Sequence, residues 1–168
     1  VGHRAQDPTA SLQLRWRTGT GGAIHKAPPL VADGRVFVLD YVETEPRTMD
    51  GTERAMALDE ETGEVLWTRE WPTSYRMLMA SYAIGPRATP TVDGDRVYVV
   101  GAAGDLYCLE ATTGEICWEK HYIEDYDSFI PTWGVASSPI VDGDHLINVV
   151  GGEPGGLVVA WNKHTGEE

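Results

Sequence analysis

The sequence predicts an all-β protein built from repeated four-stranded antiparallel units, and two recurring segments carry that prediction. The first recurring segment is Ala57-Leu-Asp-Glu-Glu-Thr-Gly-Glu-Val-Leu-Trp67, which returns as Cys108-Leu-Glu-Ala-Thr-Thr-Gly-Glu-Ile-Cys-Trp118 and, from Ala160 to Glu168, as Ala-Trp-Asn-Lys-His-Thr-Gly-Glu-Glu. Tryptophans at positions 16, 67 and 118 keep a constant spacing of 51 residues. A structural unit of that length is therefore repeated along the chain.

The second recurring segment predicts a tight hairpin. It reads Pro29-Leu-Val-Ala-Asp-Gly-Arg-Val-Phe-Val38, Pro90-Thr-Val-Asp-Gly-Asp-Arg-Val-Tyr-Val99 and Pro139-Ile-Val-Asp-Gly-Asp-His-Leu-Ile-Asn148, aligned without a gap. An Asp-Gly pair between short runs of β-branched and aromatic residues favours such a turn, because glycine adopts the positive φ that the turn needs. Each unit therefore opens with two antiparallel strands.

Another hairpin follows the first in each unit. The Thr-Gly pair turns the chain between an outgoing strand and a return strand that reaches Trp67 or Trp118. The outgoing strands are predicted at Arg54–Asp59, Asp105–Glu110 and Leu157–Asn162. Four antiparallel strands form one blade of a β-propeller. The expected fold is a partial propeller with two complete blades and parts of two more.

The predicted blades divide residues 1–168 into four parts. These are the end of a preceding blade at 1–22, blades at 23–71 and 72–122, and an incomplete blade at 123–168. A closed propeller needs roughly four to eight blades, so we expect the chain to be a fragment of a larger propeller. Unpaired strands at the ends of an open stack favour edge-to-edge self-association.

The pattern Ala57-x-Asp-x-x-Thr-Gly-Glu-x-x-Trp67 resembles the tryptophan-docking motif of the pyrroloquinoline-quinone (PQQ) type propellers, the quinoprotein alcohol dehydrogenase-like superfamily. The resemblance covers nearly the whole chain, from Trp16 onward. It implies that a small residue and an indole lock neighbouring blades together, since a small residue leaves room to bury a large ring. The structural docking residues it implies are Ala57, Cys108 and Ala160 as small partners, and Trp67 and Trp118 as docked rings.

The resemblance implies two functions. Non-catalytic members of the superfamily are interaction platforms, and we expect a binding or protein-interaction module of that kind. The alternative is that the chain is part of a PQQ-dependent alcohol or sugar dehydrogenase. The resemblance implies that such enzymes hold PQQ between a tryptophan and a disulfide of adjacent cysteines, with a calcium ion and an aspartate base beside it. Cys108 and Cys117 are not adjacent, and no residue here matches the calcium ligands or the base. In the alternative, the catalytic residues, PQQ and calcium would belong to other blades. The superfamily also implies a periplasmic or extracytoplasmic location.

Composition excludes several classes of partner and chemistry. The 13 basic and 26 acidic residues give a net charge of −13, which argues against nucleic acid or anionic lipid as a partner. No apolar run approaches the 18 or more residues of a membrane span, so none is predicted in this segment. No catalytic triad spacing, Gly-rich phosphate loop or zinc pattern is present, and we assign no catalytic or metal-binding residue.

The longer predicted connections share one end of the blades. Strand order places the turn between strands two and three at the same end as the crossover to the next blade. The connections at this end are 40–53, 71–87, 121–136 and 151–156, whereas the other end has only Asp-Gly and Thr-Gly turns. Insertions on one face of a repeat protein often form its binding surface. We expect a protein or a small acidic ligand to bind there; the alternative is that these connections only cover the blade edges.

Residues just before each unit's proline are predicted to line the mouth of the central channel. The candidate ligand- or partner-binding residues are Lys26, Arg87, Thr89, Trp133, Ser137 and Ser138. Two cations in an acidic protein would suit an anionic group, such as the carboxylates of a quinone or of an acidic ligand. The alternative is that they balance the acidic loops as ordinary surface ion pairs.

The two cysteines have alternative roles. If residues 111–114 form the Thr-Gly turn, Cys108 faces Cys117 across the hairpin, close enough for a disulfide. Alternatively, Cys108 is a free, buried docking residue. The carboxylates of Glu124, Asp125 and Asp127 would suit calcium, but they lack the Asp-x-Asp-x-Asp-Gly spacing of a calcium loop.

Overall fold

The computed structural model describes residues 14–22, 27–44, 47–79, 84–152 and 158–168. These residues form three antiparallel sheets of eleven strands and one short helix. The first sheet contains β1 (Leu30–Ala32), β2 (Arg35–Glu43), β3 (Asp50–Asp59) and β4 (Val65–Ser74). The second contains β5 (Thr91–Asp93), β6 (Arg96–Val100), β7 (Asp105–Glu110) and β8 (Ile116–His121). The third contains β9 (Ile140–Asp142), β10 (His145–Val149) and β11 (Val158–Asn162).

Strands that are consecutive in sequence are neighbours in each sheet, in the orders β1-β2-β3-β4, β5-β6-β7-β8 and β9-β10-β11. The prediction of an all-β chain with four-stranded antiparallel units is confirmed by the first two sheets. The only helix among the described residues, α1 (Tyr122–Tyr126), was not predicted. It ends at Asp127, whose left-handed φ of 48° lets the chain leave the helix.

The aligned hairpin segments place glycine at different turn positions. In the first unit, Ala32 pairs with Arg35, and both turn residues, Asp33 and Gly34, have positive φ. In the second unit, Asp93 pairs with Arg96, and the glycine, with φ of 59°, comes first in the turn. Both solutions provide the positive φ that joins twisted strands closely.

Each repeated tryptophan of the described chain contacts the Thr-Gly turn of the following unit. The indole Nε1 donates a hydrogen bond to a turn carbonyl, from Trp16 to Glu60 (2.9 Å), from Trp67 to Ala111 (3.0 Å) and from Trp118 to Lys163 (3.1 Å). The turn glycine lies under the ring. A Cβ on Gly114 would lie 2.6 Å from the Trp67 ring, so only glycine permits this approach.

Two clusters of buried side chains connect the sheets. Phe37, Trp67 and Leu109 belong to a cluster shared by the first and second sheets. Cys108 and Trp161 belong to one shared by the second and third sheets. The core therefore lies between neighbouring sheets, as expected when flat sheets stack side by side.

The predicted pairing of Cys108 with Cys117 in the second Thr-Gly hairpin is wrong. Cys108 pairs with Trp118, while Leu109 pairs with Ile116, so Cys117 has no partner in the ladder. This β-bulge adds one residue to β8, which an uninterrupted ladder does not allow for. Both cysteines are free thiols, Cys108 buried and Cys117 exposed. An equivalent bulge leaves Leu66 unpaired in the first unit.

The predicted long connection at 40–53 is also wrong in extent. Strands β2 and β3 continue through it, pairing Asp40 with Arg54 and Glu43 with Gly51. The described residues between these two strands are 44 and 47–49. An ion pair between Asp40 and Arg54 stabilises the extended part of β2 and β3. The buried Asp40 carboxylate accepts a hydrogen bond of 2.7 Å from Arg54 Nε.

Candidate functional site

The candidate site is the end of the sheets where the longer connections lie, hereafter the loop face. Antiparallel order brings the connection from β2 to β3 to the same end as the crossover from β4 to β5. The described residues of the loop face are 44, 47–49, 75–79, 84–90, 101–104, 122–139 and 150–152. Turns of two to five residues occupy the opposite end, at 33–34, 60–64, 94–95, 111–115 and 143–144.

A buried carboxylate fixes the loop face between the first two sheets. Glu53 on β3 is fully buried and accepts hydrogen bonds from Trp71 Nε1 (3.0 Å), from the Tyr75 hydroxyl and from the backbone N–H of Ala102 (3.0 Å). Burial raises the pKa of Glu53, and the three donors oppose that rise. Gly101 has no Cβ to collide with this carboxylate. With its oxygens occupied, Glu53 is a structural link rather than a reactive group.

Sequence reasoning missed Glu53. In the alternation of β3, Glu53 occupies a position whose side chain points inward, where an apolar residue is expected. From the sequence alone, a charged residue there is equally consistent with the strand beginning after it. The donors come from residues 18, 22 and 49 positions away along the chain. Only the folded arrangement brings them together.

A cavity of about 340 Å³ opens on the loop face between the first two sheets. One wall is formed by the end of β4 and the residues that follow it, and the other by residues of the second unit. The lining residues are Pro72, Thr73, Ser74, Met77, Leu78, Ala103, Asp105, Ile123, Glu124 and Ile130. The lining is therefore mainly apolar, with two carboxylates and no basic residue.

Large apolar side chains are exposed on the loop face, and two of them, Met77 and Ile123, line this cavity. Met77 is 87% exposed and Phe129 is 84% exposed, and Ile123, Met79 and Trp133 are partly exposed. The sequence segments 71–82 and 121–133 supply all five. Clusters of exposed apolar side chains on a water-soluble surface are typical of interaction sites.

An ion pair lies beside the cavity. His121 Nδ1 is 2.9 Å from Asp105 Oδ1, and His121 Nε2 is 3.7 Å from Glu119 Oε1. The hydrogen bond to Asp105 raises the pKa of His121. Burial raises the pKa of Asp105, and the contact with His121 opposes that rise. The pair closes the hairpin at the junction of β7 and β8 with the loop face.

The structure brings only some of the predicted channel-mouth residues together. The backbone N–H of Thr89 donates to Ser138 Oγ at 2.9 Å, and Ser137 Oγ donates to the carbonyl of Val149 at 3.2 Å. Arg87 lies against Gly134, and a Cβ there would collide with its guanidinium. Trp133 is exposed, and Lys26 lies outside the described residues. Binding of an acidic ligand by this set stays a prediction.

The docking role that the resemblance implies for the small residues stays a prediction. Ala57 pairs with Trp67, and Cys108 with Trp118, across hairpins of the same sheets. Ala160 is exposed on β11 and pairs with Ile147. The indoles of Trp67 and Trp118 reach the next unit through the turn carbonyls described above. The glycine and the carbonyl of the Thr-Gly turn were not predicted as partners of these indoles.

The described residues do not fit a PQQ or metal site. In that part of the chain, no three His, Cys, Asp or Glu side chains converge as metal ligands. Asp125 Oδ2 accepts a hydrogen bond of 2.8 Å from the His121 N–H, so one member of the acidic trio at 124–127 serves the backbone. The two thiols are separated in sequence and lie in the second sheet. None of the described residues forms a helix of the length and apolarity that a membrane span requires.

The chain is similar in fold to several solved structures. A europium-containing methanol dehydrogenase matches 92% of this chain and 26% of its own, at 18% identity and a TM-score of 0.65. The quinohemoprotein alcohol dehydrogenase from Comamonas testosteroni matches 87% of this chain and 20% of its own, at 22% identity and a TM-score of 0.64. BamB from Moraxella catarrhalis matches 86% of this chain and 35% of its own, at 17% identity and a TM-score of 0.53.

These similarities show the fold and not the activity, because the identities are low. This chain spans between 20% and 35% of the length of the three proteins. The predicted PQQ-type β-propeller fold is confirmed. No curated protein sequence matches the chain significantly.

A family model provides the assignment. The model described as outer membrane protein assembly factor BamB matches residues 9–168, nearly the whole sequence. That span contains all three described sheets and every copy of the repeated Thr-Gly segment. The chain therefore belongs to the PQQ-like repeat family whose model is described as outer membrane protein assembly factor BamB.

Proposed function

We propose that this chain is a non-catalytic propeller segment that binds a partner polypeptide through its loop face. The observation that carries the proposal is the group of exposed apolar side chains on the loop face, led by Phe129 and by Met77, which lines the cavity. Water-exposed groups of this kind gain free energy when a partner covers them, at about 25 cal/mol per Å² of apolar surface. The family name, which refers to an assembly factor, supports a binding role.

Contacts that hold two connections of the loop face also support binding. The backbone N–H of Met79 donates to the carbonyl of Thr132 at 2.8 Å and ties two connections together. The buried Glu53 holds both sheets beneath them. A surface that is already ordered loses less conformational entropy when a partner binds.

An extracytoplasmic location belongs to the same proposal. Its support is the reference to the outer membrane in the family name. The net charge of −13 suits a partner with basic segments, and electrostatic attraction would raise the rate of association. Edge-to-edge self-association of the chain stays a prediction.

Affinity capture with paired variants tests the polypeptide-binding proposal. In the full-length protein, the double variant Met77→Asp/Phe129→Asp should lose at least about tenfold in captured partner, a change of about 1.4 kcal/mol. The matched control is Val65→Asp/Leu66→Asp, two residues that are each 48% exposed near the opposite end. Equal capture by both double variants would contradict the proposal.

A second candidate function is part of a PQQ-dependent dehydrogenase. It is favoured by the TM-scores of 0.65 and 0.64 with two alcohol-oxidising enzymes, which concern the fold alone. Because the described residues do not form the site, PQQ and calcium would bind residues elsewhere in the full-length protein. Titration with PQQ, with and without calcium, tests it through tryptophan fluorescence. Saturable binding of one PQQ per protein would favour the dehydrogenase, and no binding at tens of micromolar would favour the interaction module.

A further inference from the structure

The cavity on the loop face has a chemical character that selects its occupant. Six of its lining residues are apolar: Pro72, Met77, Leu78, Ala103, Ile123 and Ile130. The carboxylates of Asp105 and Glu124 lie in the same lining, and no Lys or Arg does. The volume of about 340 Å³ is at the lower end of the range of about 300–1,000 Å³ for small-molecule sites. It suits a large side chain.

Hydrogen bonds and packing hold both walls of the cavity. On one wall, the backbone N–H of Leu78 donates to the carbonyl of Tyr75 at 3.0 Å, and the Tyr75 hydroxyl is bound to Glu53. On the other, the backbone N–H of Tyr122 donates to the carbonyl of Gly104 at 3.0 Å. A Cβ on Gly104 would lie 2.8 Å from Ile130 Cδ1, so that wall is closely packed. The cavity is therefore formed before any partner arrives.

The two carboxylates differ in accessibility. The side chain of Asp105 is 21% exposed and pairs with His121, whereas Glu124 is exposed on the first turn of α1. Glu119 and Asp125 lie nearby, since Glu119 approaches His121 and Asp125 accepts from the His121 backbone. Acidic groups thus outnumber the one histidine at this edge. A cation brought to the rim would be attracted, and an anion would be repelled.

We propose that this cavity binds an apolar side chain of the partner polypeptide whose neighbouring residue is Lys or Arg. The proposal rests on the proposed function and deepens it by naming the chemistry of the recognised segment. The apolar side chain contacts Leu78 and Ile130 in the cavity lining, and the cation lies beside Glu124 at the rim. Apolar anchors in preformed pockets usually carry most of the binding free energy of an interface, and the rim charge supplies specificity.

Methyl NMR of the full-length protein labelled at Met and Ile tests the proposal with defined probes. Three acetylated hexapeptides are compared, identical except for a central Phe-Lys, Phe-Glu or Ala-Lys pair. The Phe-Lys peptide should shift the methyl signals of Met77, Ile123 and Ile130 saturably, and leave the buried Met56 unchanged. Replacing Lys by Glu, or Phe by Ala, should weaken binding at least fivefold. Equal affinity for all three peptides, or no shift up to about 5 mM peptide, would overturn the proposal.

Two variants make the assignment sharper. Glu124→Lys changes an exposed helix residue and should reverse the preference, favouring the Phe-Glu peptide. Ala103→Trp should fill the cavity and abolish the shifts, with an unchanged thermal midpoint showing that the fold persists. Leu66→Asp is the control at a distant exposed site. Retention of the Phe-Lys preference in Glu124→Lys would overturn the role given to the rim charge.

The failure of this inference can be distinguished from failure of the proposed function. If partner capture is lost in Met77→Asp/Phe129→Asp but is unchanged in Glu124→Lys and Ala103→Trp, the polypeptide-binding function stands and this cavity is not its anchor site. If the methyl signals shift with protein concentration alone, a second copy of the chain occupies the cavity and the proposal is overturned. Loss of capture in all three variants would support both.

Discussion

At the scale of single residues, glycine decides how closely neighbouring units approach. Gly114 and Gly34 have nearly the same φ, 71° and 74°, but only Gly114 lies under an indole. Alanine at either position incurs left-handed strain of about 1–2 kcal/mol. We expect Gly114→Ala to lose about 1–3 kcal/mol more than Gly34→Ala, because its Cβ would overlap Trp67. Urea unfolding of both variants measures the difference, and equal losses would show that the glycine–indole contact contributes nothing.

Glu53 provides a second prediction at this scale. The Glu53 carboxylate accepts hydrogen bonds from three donors. In Glu53→Gln, the amide NH₂ would face one of these donors, and that buried donor would lose its hydrogen-bond partner. We expect a loss of roughly 1–3 kcal/mol in the free energy of unfolding. Glu70→Gln, which changes an exposed glutamate 4.0 Å from Arg54, should cost less than about 0.5 kcal/mol. Similar losses for the two variants would contradict the structural role of Glu53.

The two thiols should differ in reactivity. Cys117 is exposed at a bulge, whereas Cys108 is buried and its thiol pKa is raised chiefly by burial. A thiol reagent at neutral pH should modify Cys117 within minutes and Cys108 only after unfolding. Peptide mapping by mass spectrometry checks this result. Recovery of a peptide pair joined through Cys108 and Cys117 would instead support the disulfide alternative.

At the scale of elements, the β7–β8 hairpin contains a pH-dependent contact. The hydrogen bond to Asp105 raises the pKa of His121 above its ordinary value of 6.5. The stabilisation from this pair is therefore fully present below about pH 6.5 and is lost as the pH rises through the folded pKa. The free energy of unfolding should fall over that range in the wild type and less in His121→Gln. His145→Gln, on β10, is the control, and identical pH profiles of all three proteins would refute the coupling.

The sequence predicts hairpins better than it predicts their details. Asp-Gly and Thr-Gly pairs place the turns correctly, because only a few residues adopt positive φ. The bulges opposite Ala57 and Cys108 give no composition signal, since the extra residues Leu66 and Cys117 continue the strand pattern. Helix α1 was missed because its five residues are too few for a helical period. A single sequence thus specifies where a strand turns and leaves its register open.

The loop face illustrates the same distinction for the candidate site. The sequence indicates that segment 71–82, with aromatic residues and methionines, and segment 121–133, with aromatic and acidic residues, share one end of the blades. Both segments contribute to the lining of the cavity. It does not reveal that Met79 and Thr132 join the two segments, or that Glu53 holds them from below. These contacts depend on the packing of two units. The sequence therefore indicates a candidate region and not the contacts within it.

At the scale of the whole molecule, repetition explains both the stability and the location of function. Each sheet buries one side against its neighbour, with a tryptophan on the next Thr-Gly turn. Chain length varies only at the loop face, where exposed Met77 and Phe129 lie. The proposed binding thus uses the part of the repeat that the fold does not require.

Position-specific photo-cross-linking in cells that produce the full-length protein is the most direct test of this claim. A photoreactive phenylalanine analogue replaces Met77, Phe129 or, as the control, Leu66. The account predicts a discrete polypeptide adduct from the two loop-face positions and none from the control. An adduct of equal yield from Leu66, or none from Met77 and Phe129, would contradict the account.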